Sequence, residues 1–75
     1  MVEVEVREKM YRKQIDNDRR IEVIVRRGIS WEIKEIKFIG GYREYKELPI
    51  WTLPYLIEVL VKIREDFKHE GVIQE

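Results

Sequence analysis

The chain contains no cysteine, so neither a disulfide nor a thiolate metal site is open to it. Its single histidine, His69, cannot anchor a metal cluster unaided. Alanine is missing altogether, and proline occurs only twice. Wholly apolar runs fall far short of the roughly 18 residues a membrane helix requires, and no leader pattern stands out. A soluble, cytoplasmic protein with no membrane contact is therefore expected. An excess of charge is missing too: 15 Lys plus Arg face 15 Asp plus Glu, for a formal net charge of +0. General nucleic-acid binders carry a basic excess, so any such excess here must be local.

Catalytic signatures are also lacking. There is no Walker loop, paired-histidine metal motif, nucleophile elbow or dinucleotide fingerprint. Gly40-Gly41 precedes no helix and so cradles no phosphate. The carboxylates alternate with Lys and Arg, as on a solvated sheet face, rather than forming an acid/base pair. No enzyme, no cofactor, no metal and no small-molecule substrate is expected.

What is present is charge and β-branched bulk. Charged residues make up 40% of the chain, Ile and Val dominate the apolar set, and amides are few. Many ion pairs with few thermolabile side chains suit a hyperthermophilic, archaeal source. The 75 residues form one domain, 1–75. A chain this short buries only about 60% of its unfolded surface. Without a disulfide or metal, self-association is the remaining source of stability.

Val2, Val4 and Val6 alternate with Glu3, Glu5 and Arg7, the period of a half-buried strand. Met10 and Tyr11 break the phase, which predicts a bulge or bend between Glu8 and Ile15. Asp16-Asn17-Asp18 is turn chemistry. Ile21, Val23 and Val25 restart the alternation, and Gly28 is placed to supply a positive φ after Arg26-Arg27. Trp31 and Ile33 differ in parity from Ile36 and Phe38, so a bulge near Lys34-Glu35 is predicted. Gly40-Gly41 reads as a two-residue hairpin loop. That register sets Ile39 against Tyr42, Phe38 against Arg43, Lys37 against Glu44, Ile36 against Tyr45 and Glu35 against Lys46. Pro49 ends the fourth strand.

From Leu48 to Phe67 the chain is organised around a helix. Thr52 is the expected N-cap, its hydroxyl accepting from the first turn. Pro54 suits the first helical position, and Ile50 or Trp51 can staple the entry. Lys68, His69 and Gly71 mark the end. Val59, Ile63, Leu56, Phe67, Leu60, Leu53, Ile57 and Val61 cover roughly 200° of the circumference at 100° per residue. One sheet needs an arc of about 100° or slightly more. The surplus predicts a homodimer through Leu53, Ile57, Val59, Leu60, Val61 and Arg64. The expected fold class is therefore α+β: a four-stranded antiparallel β-meander followed by one long C-terminal α-helix. Strands are placed at about 2–14, 20–27, 30–39 and 42–48, and the helix at about 53–69.

Basic residues concentrate in the first two strands. Arg12, Lys13, Arg19, Arg20, Arg26, Arg27 and Arg43 are the expected phosphate contacts. Bases would stack on Trp31, Tyr42 or Tyr45. Four strands and a C-terminal helix, entered through Leu48-Pro49-Ile50-Trp51-Thr52-Leu53, resemble the positive-cofactor-four and Whirly type of single-stranded DNA-binding module. The basic and aromatic strands around Arg26-Arg27, Trp31 and Arg43-Glu44-Tyr45-Lys46 add to the likeness. The resemblance implies a homodimer joined through its helices that binds melted DNA on curved sheets, in transcription or replication. The sequence departs from that group in having no net positive charge and no lysine-rich loop. Single-stranded DNA or RNA is thus the expected partner. A protein-interaction module that uses the sheet face or edge is the alternative.

Overall fold

The computed structural model describes residues 7–74. The alternating start at Val2, Val4 and Val6 lies outside them. Four antiparallel strands run in chain order across one sheet: β1 (Arg7–Gln14), β2 (Arg19–Arg27), β3 (Trp31–Gly40) and β4 (Arg43–Tyr45). A 3-10 turn, Ile50–Thr52, leads into α1 (Leu53–His69). The expected α+β meander and C-terminal helix are both present. Among the described residues, no helix is long and apolar enough to cross a membrane.

One sheet face carries the core. Ile21, Val23 and Val25 of β2 are buried against Val59, Ile63 and Phe67 of α1, with Phe38 of β3. Those helix residues stand four apart and form one stripe. The flanking strands complete the face, since Tyr11 pairs with Val23 and Phe38 with Ile21. The opposite face is mostly ionic, although it also buries Ile39 across from Arg20. There Glu22 is buried, with Arg20 Nε at 2.8 Å and Lys37 Nζ at 3.8 Å.

Several expectations are corrected. β1 pairs with β2 residue for residue from Arg7↔Arg27 to Gln14↔Arg20, with no bulge. Met10 simply points outward, while Lys9, Tyr11 and Lys13 alternate with it on the helix face. The two lysines lay their aliphatic stems over the sheet and send their ammonium groups to helix carboxylates. The β3 bulge does occur: Ile24 pairs with Glu35 and Val25 with Ile33, leaving Lys34 as the extra residue. That restores Ile33 and Trp31 to the face of Ile36.

The β3–β4 loop is Gly41-Tyr42, not Gly40-Gly41. Gly40 pairs with Arg43, Ile39 with Glu44 and Phe38 with Tyr45. Only Gly41 of the two glycines has a positive φ, +62°. A turn that needs positive φ at its first central residue therefore begins there. The slip is two residues, so every side chain keeps its face. Lys37 still reaches Glu44, diagonally, at 3.3 Å. β4 spans three residues rather than the expected seven. Gly28 does not take a positive φ; its N–H instead donates to the Ser30 carbonyl at 3.0 Å. Asp16 performs as turn chemistry predicts, Oδ1 accepting from the backbone N–H groups of Asp18 and Arg19 at 3.0 and 2.9 Å.

Thr52 precedes the helix but does not cap it through its side chain. Its buried hydroxyl donates to the Pro49 carbonyl at 2.6 Å, because Thr52 has helical rather than extended backbone angles. Pro54 lies in the first turn. The other end closes as a Schellman motif: Val72 N–H bonds Phe67 carbonyl at 2.9 Å and Gly71 N–H bonds Lys68 carbonyl at 3.1 Å. Gly71 supplies φ +77°.

Candidate nucleic-acid interface

The two flanks of α1 differ. Toward β1 the contacts are polar: Lys13 Nζ reaches Glu58 at 3.2 Å and Lys9 Nζ reaches Glu70 at 2.6 Å. Between them Tyr11 hydrogen-bonds Asp66. Burial, then the hydrogen bond to Asp66, pushes the Tyr11 hydroxyl up to about 12. Lys62, 3.0 Å from Asp66, and Tyr11 together hold that carboxyl below its usual range. Toward β3 and β4 the flank is apolar and aromatic.

The open flank ends in a compact group of rings and guanidinium groups. Cross-strand pairing places Arg19, Gly40 and Arg43 in one row on the helix side of the sheet. Gly40 has no side chain, so the two arginines flank a gap about 10 Å wide, two strand spacings. The next row is Ile21, Phe38 and Tyr45. The Phe38 ring leans back over Gly40, where an added Cβ would come within 3.1 Å of it. Trp51, from the 3-10 turn, meets Phe38 edge-on at 5.6 Å, and Tyr45 lies 5.9 Å from Phe38 on the other side. Trp51 is thereby tied to β3. Phe38 is buried, while Trp51 and Tyr45 remain 44% and 43% exposed. Arg19 stacks 4.7 Å from the Trp51 ring centre, and its Nε is held by Asp16 at 2.7 Å. The Arg19 guanidinium in turn holds the Asp16 carboxyl below its usual range. The β3–β4 turn docks on the β1–β2 loop through Gly41 N–H to the Asp18 carbonyl, 3.0 Å. Fully exposed Tyr42 sits on that turn.

Of the ten residues expected to touch nucleic acid, the fold gathers Arg19, Tyr42, Arg43 and Tyr45 at this one end. The other six are dispersed. Trp31 is half-buried against Phe67 at 5.0 Å, with Lys9 over both rings. Lys13 is paired to Glu58 and Arg20 to Glu22. Arg12 and Arg26 are on the outer face, where Glu22 lies opposite the first and Glu8 and Glu32 flank the second. Arg27 is exposed at the far end of β2, across from Arg7 and Trp31. Trp51 is the member of the group that sequence reasoning passed over as a helix staple. A large aromatic just before a helix, close to a hairpin that already carries Tyr42 and Tyr45, was the available signal.

The expected dimer residues also divide. Val59 is 4% exposed inside the monomer core, so it cannot meet a second chain. Its place in the stripe with Ile63 and Phe67 commits it to the sheet. Leu60 packs, partly buried, against the same core. Leu53, Ile57 and Val61 form a separate stripe at four-residue spacing and remain 45%, 49% and 40% exposed. Arg64 is exposed, its Nε 3.8 Å from Glu65.

Among the described residues, no group of three or more His, Asp or Glu side chains could hold a metal ion. No protein-family model, no curated protein and no solved structure matches the chain.

Proposed function

We propose that the protein is a non-catalytic module for single-stranded nucleic acid that works inside the cell as a homodimer. One observation carries this: Arg43 and Arg19, the latter oriented by its ion pair with Asp16, bracket an aromatic surface on which Trp51 and Tyr45 are each nearly half exposed. Unpaired bases stack on such rings whatever their sequence, and flanking cations track the phosphates. Duplex bases, already stacked, have no free face to offer. The mixed charges of the outer sheet face make it the weaker place for a polyanion. The abundance of ion pairs supports a thermophilic source. The exposed stripe of Leu53, Ile57 and Val61 supports pairing of two helices, because apolar area left in water is stabilised by a like partner.

A fluorescence-anisotropy titration with labelled oligo-dT and a matched duplex tests the proposal. Binding to oligo-dT should fall steeply with salt and exceed binding to duplex. Equal binding to both, or a salt-independent signal, would remove it. A second reading, a protein-docking module, rests on the apolar helix stripe. It predicts self-association or partner capture with no oligonucleotide shift.

A further inference from the structure

We propose that β1 is a self-pairing edge: two copies join antiparallel along Arg7–Gln14, with a two-fold axis through Met10, and extend the sheet from four strands to eight. β1 lies at the end of the strand order, so one side of its backbone has no ladder partner among the described strands. Edge strands with unpaired N–H and C=O groups template further strands unless charge guards them. β1 carries Arg7, Lys9, Arg12 and Lys13 against Glu8, which would be a guard. Within the chain Lys9 is answered by Glu70 and Lys13 by Glu58. Arg12 has no ion-pair partner among the described residues and is exposed.

Symmetry then selects the register. With Met10 on the axis, Glu8, whose carboxylate already takes Lys34 Nζ at 2.9 Å within its own chain, falls opposite Arg12 of the second copy, twice, once on each side. Met10, 54% exposed, covers its own counterpart. On the other face Lys9 lies opposite Tyr11, and Arg7 opposite the Lys13 that Glu58 neutralises. Moving the axis to Tyr11 loses both Glu8–Arg12 pairs, setting Met10 against Arg12 and Glu8 against Gln14. Moving it to Lys9 or Arg12 puts like charges on the axis itself. Directly opposed unlike charges favour a strand pair and like charges oppose it, so Met10 is the self-complementary register. A cleft of about 410 Å³ runs beside this edge between β1 and α1, lined by Tyr11, Lys13, Ile57, Glu58 and Val61. A second copy along the edge covers it. This contact is independent of the helix stripe and of nucleic-acid binding; combined with the helix contact it would carry assembly past a dimer.

The test is disulfide mapping, which suits a chain with no cysteine of its own. Directly opposed residues on antiparallel strands have Cα atoms about 4.5–5.5 Å apart, within disulfide reach. Met10→Cys should oxidise to a covalent dimer, doubling the 9.2 kDa mass on a non-reducing gel. Gln14→Cys, on the same strand face but about 27 Å from its counterpart across the axis, should stay monomeric. Glu8→Arg or Arg12→Glu in the Met10→Cys background should slow linkage about fivefold, and the two together should restore it. The proposal is overturned if Met10→Cys fails to link, if Gln14→Cys links as fast, or if the double charge swap gives no rescue. Circular dichroism confirms that each variant is folded, and neither outcome depends on whether oligonucleotide binds.

Discussion

One helix has two unlike flanks. Beside β1, α1 is clasped by Lys9–Glu70, Tyr11–Asp66 and Lys13–Glu58, next to a cleft that Ile57 and Val61 also line. Beside β3 and β4 it leaves Trp51, Tyr45 and Leu53 nearly half in water. The clasp holds the helix on the sheet with contacts that water can also make. The other side keeps exposed the rings and apolar side chains that only a partner can cover. Stability and binding are thus assigned to opposite sides of the same element.

Phe67→Ala should blur the comparison most. Phe67 touches both Trp31 and Lys9, and its removal leaves a cavity under the whole helix end. A loss of about 3–5 kcal/mol is expected, read as a fall in the denaturant midpoint. Trp51→Ala should sharpen it: oligo-dT affinity falls by about 1–3 kcal/mol, while circular dichroism stays that of the folded chain. The equivalent change on the clasped flank, Glu58→Ala, should leave oligo-dT affinity unchanged. It should cost stability no more than about 1 kcal/mol, as for an exposed ion pair.

The pH dependence separates the flanks again. The Tyr11 hydroxyl has a folded value raised from 10.0 to about 12, so the stability it lends is complete below pH 10 and is lost as pH rises toward 12. Tyr11→Phe should flatten that alkaline decline in a series of denaturant melts. Asp66 has a folded value below its ordinary 3.8, so its contribution is present above that value and disappears as pH falls beneath it. Asp66→Asn should weaken the acid decline. Oligonucleotide affinity should follow neither titration. The smallest effect is on salt dependence: Arg43→Ala should reduce the slope of log affinity against log salt by about one.

The elements were legible because their signals were local. The alternation at Ile21, Val23 and Val25, the parity change between Ile33 and Ile36, and the Gly71 stop each determined one structural feature. The loop at Gly41-Tyr42 lies one residue beyond Gly40-Gly41, which shifts the pairing by two; either glycine could open the turn, and face parity is the same in both registers. Thr52 was misread because a preceding 3-10 turn gave it helical angles, which direct its hydroxyl back to Pro49. The site was only partly legible. Which cations are neutralised depends on contacts such as Lys13–Glu58, forty-five positions apart in the chain, and no local pattern shows these. The 200° apolar arc was sound as a pattern. It did not reveal that Val59 belongs to the core while Ile57, two residues earlier, is outside it.

The most direct measurement is the paired titration of labelled oligo-dT with the unmodified chain and with Trp51→Ala at low and moderate salt. Salt-sensitive binding that weakens at least about fivefold on loss of Trp51 is the expected result. Absence of binding at low salt, or binding indifferent to Trp51, would contradict the assignment of the open flank to nucleic acid.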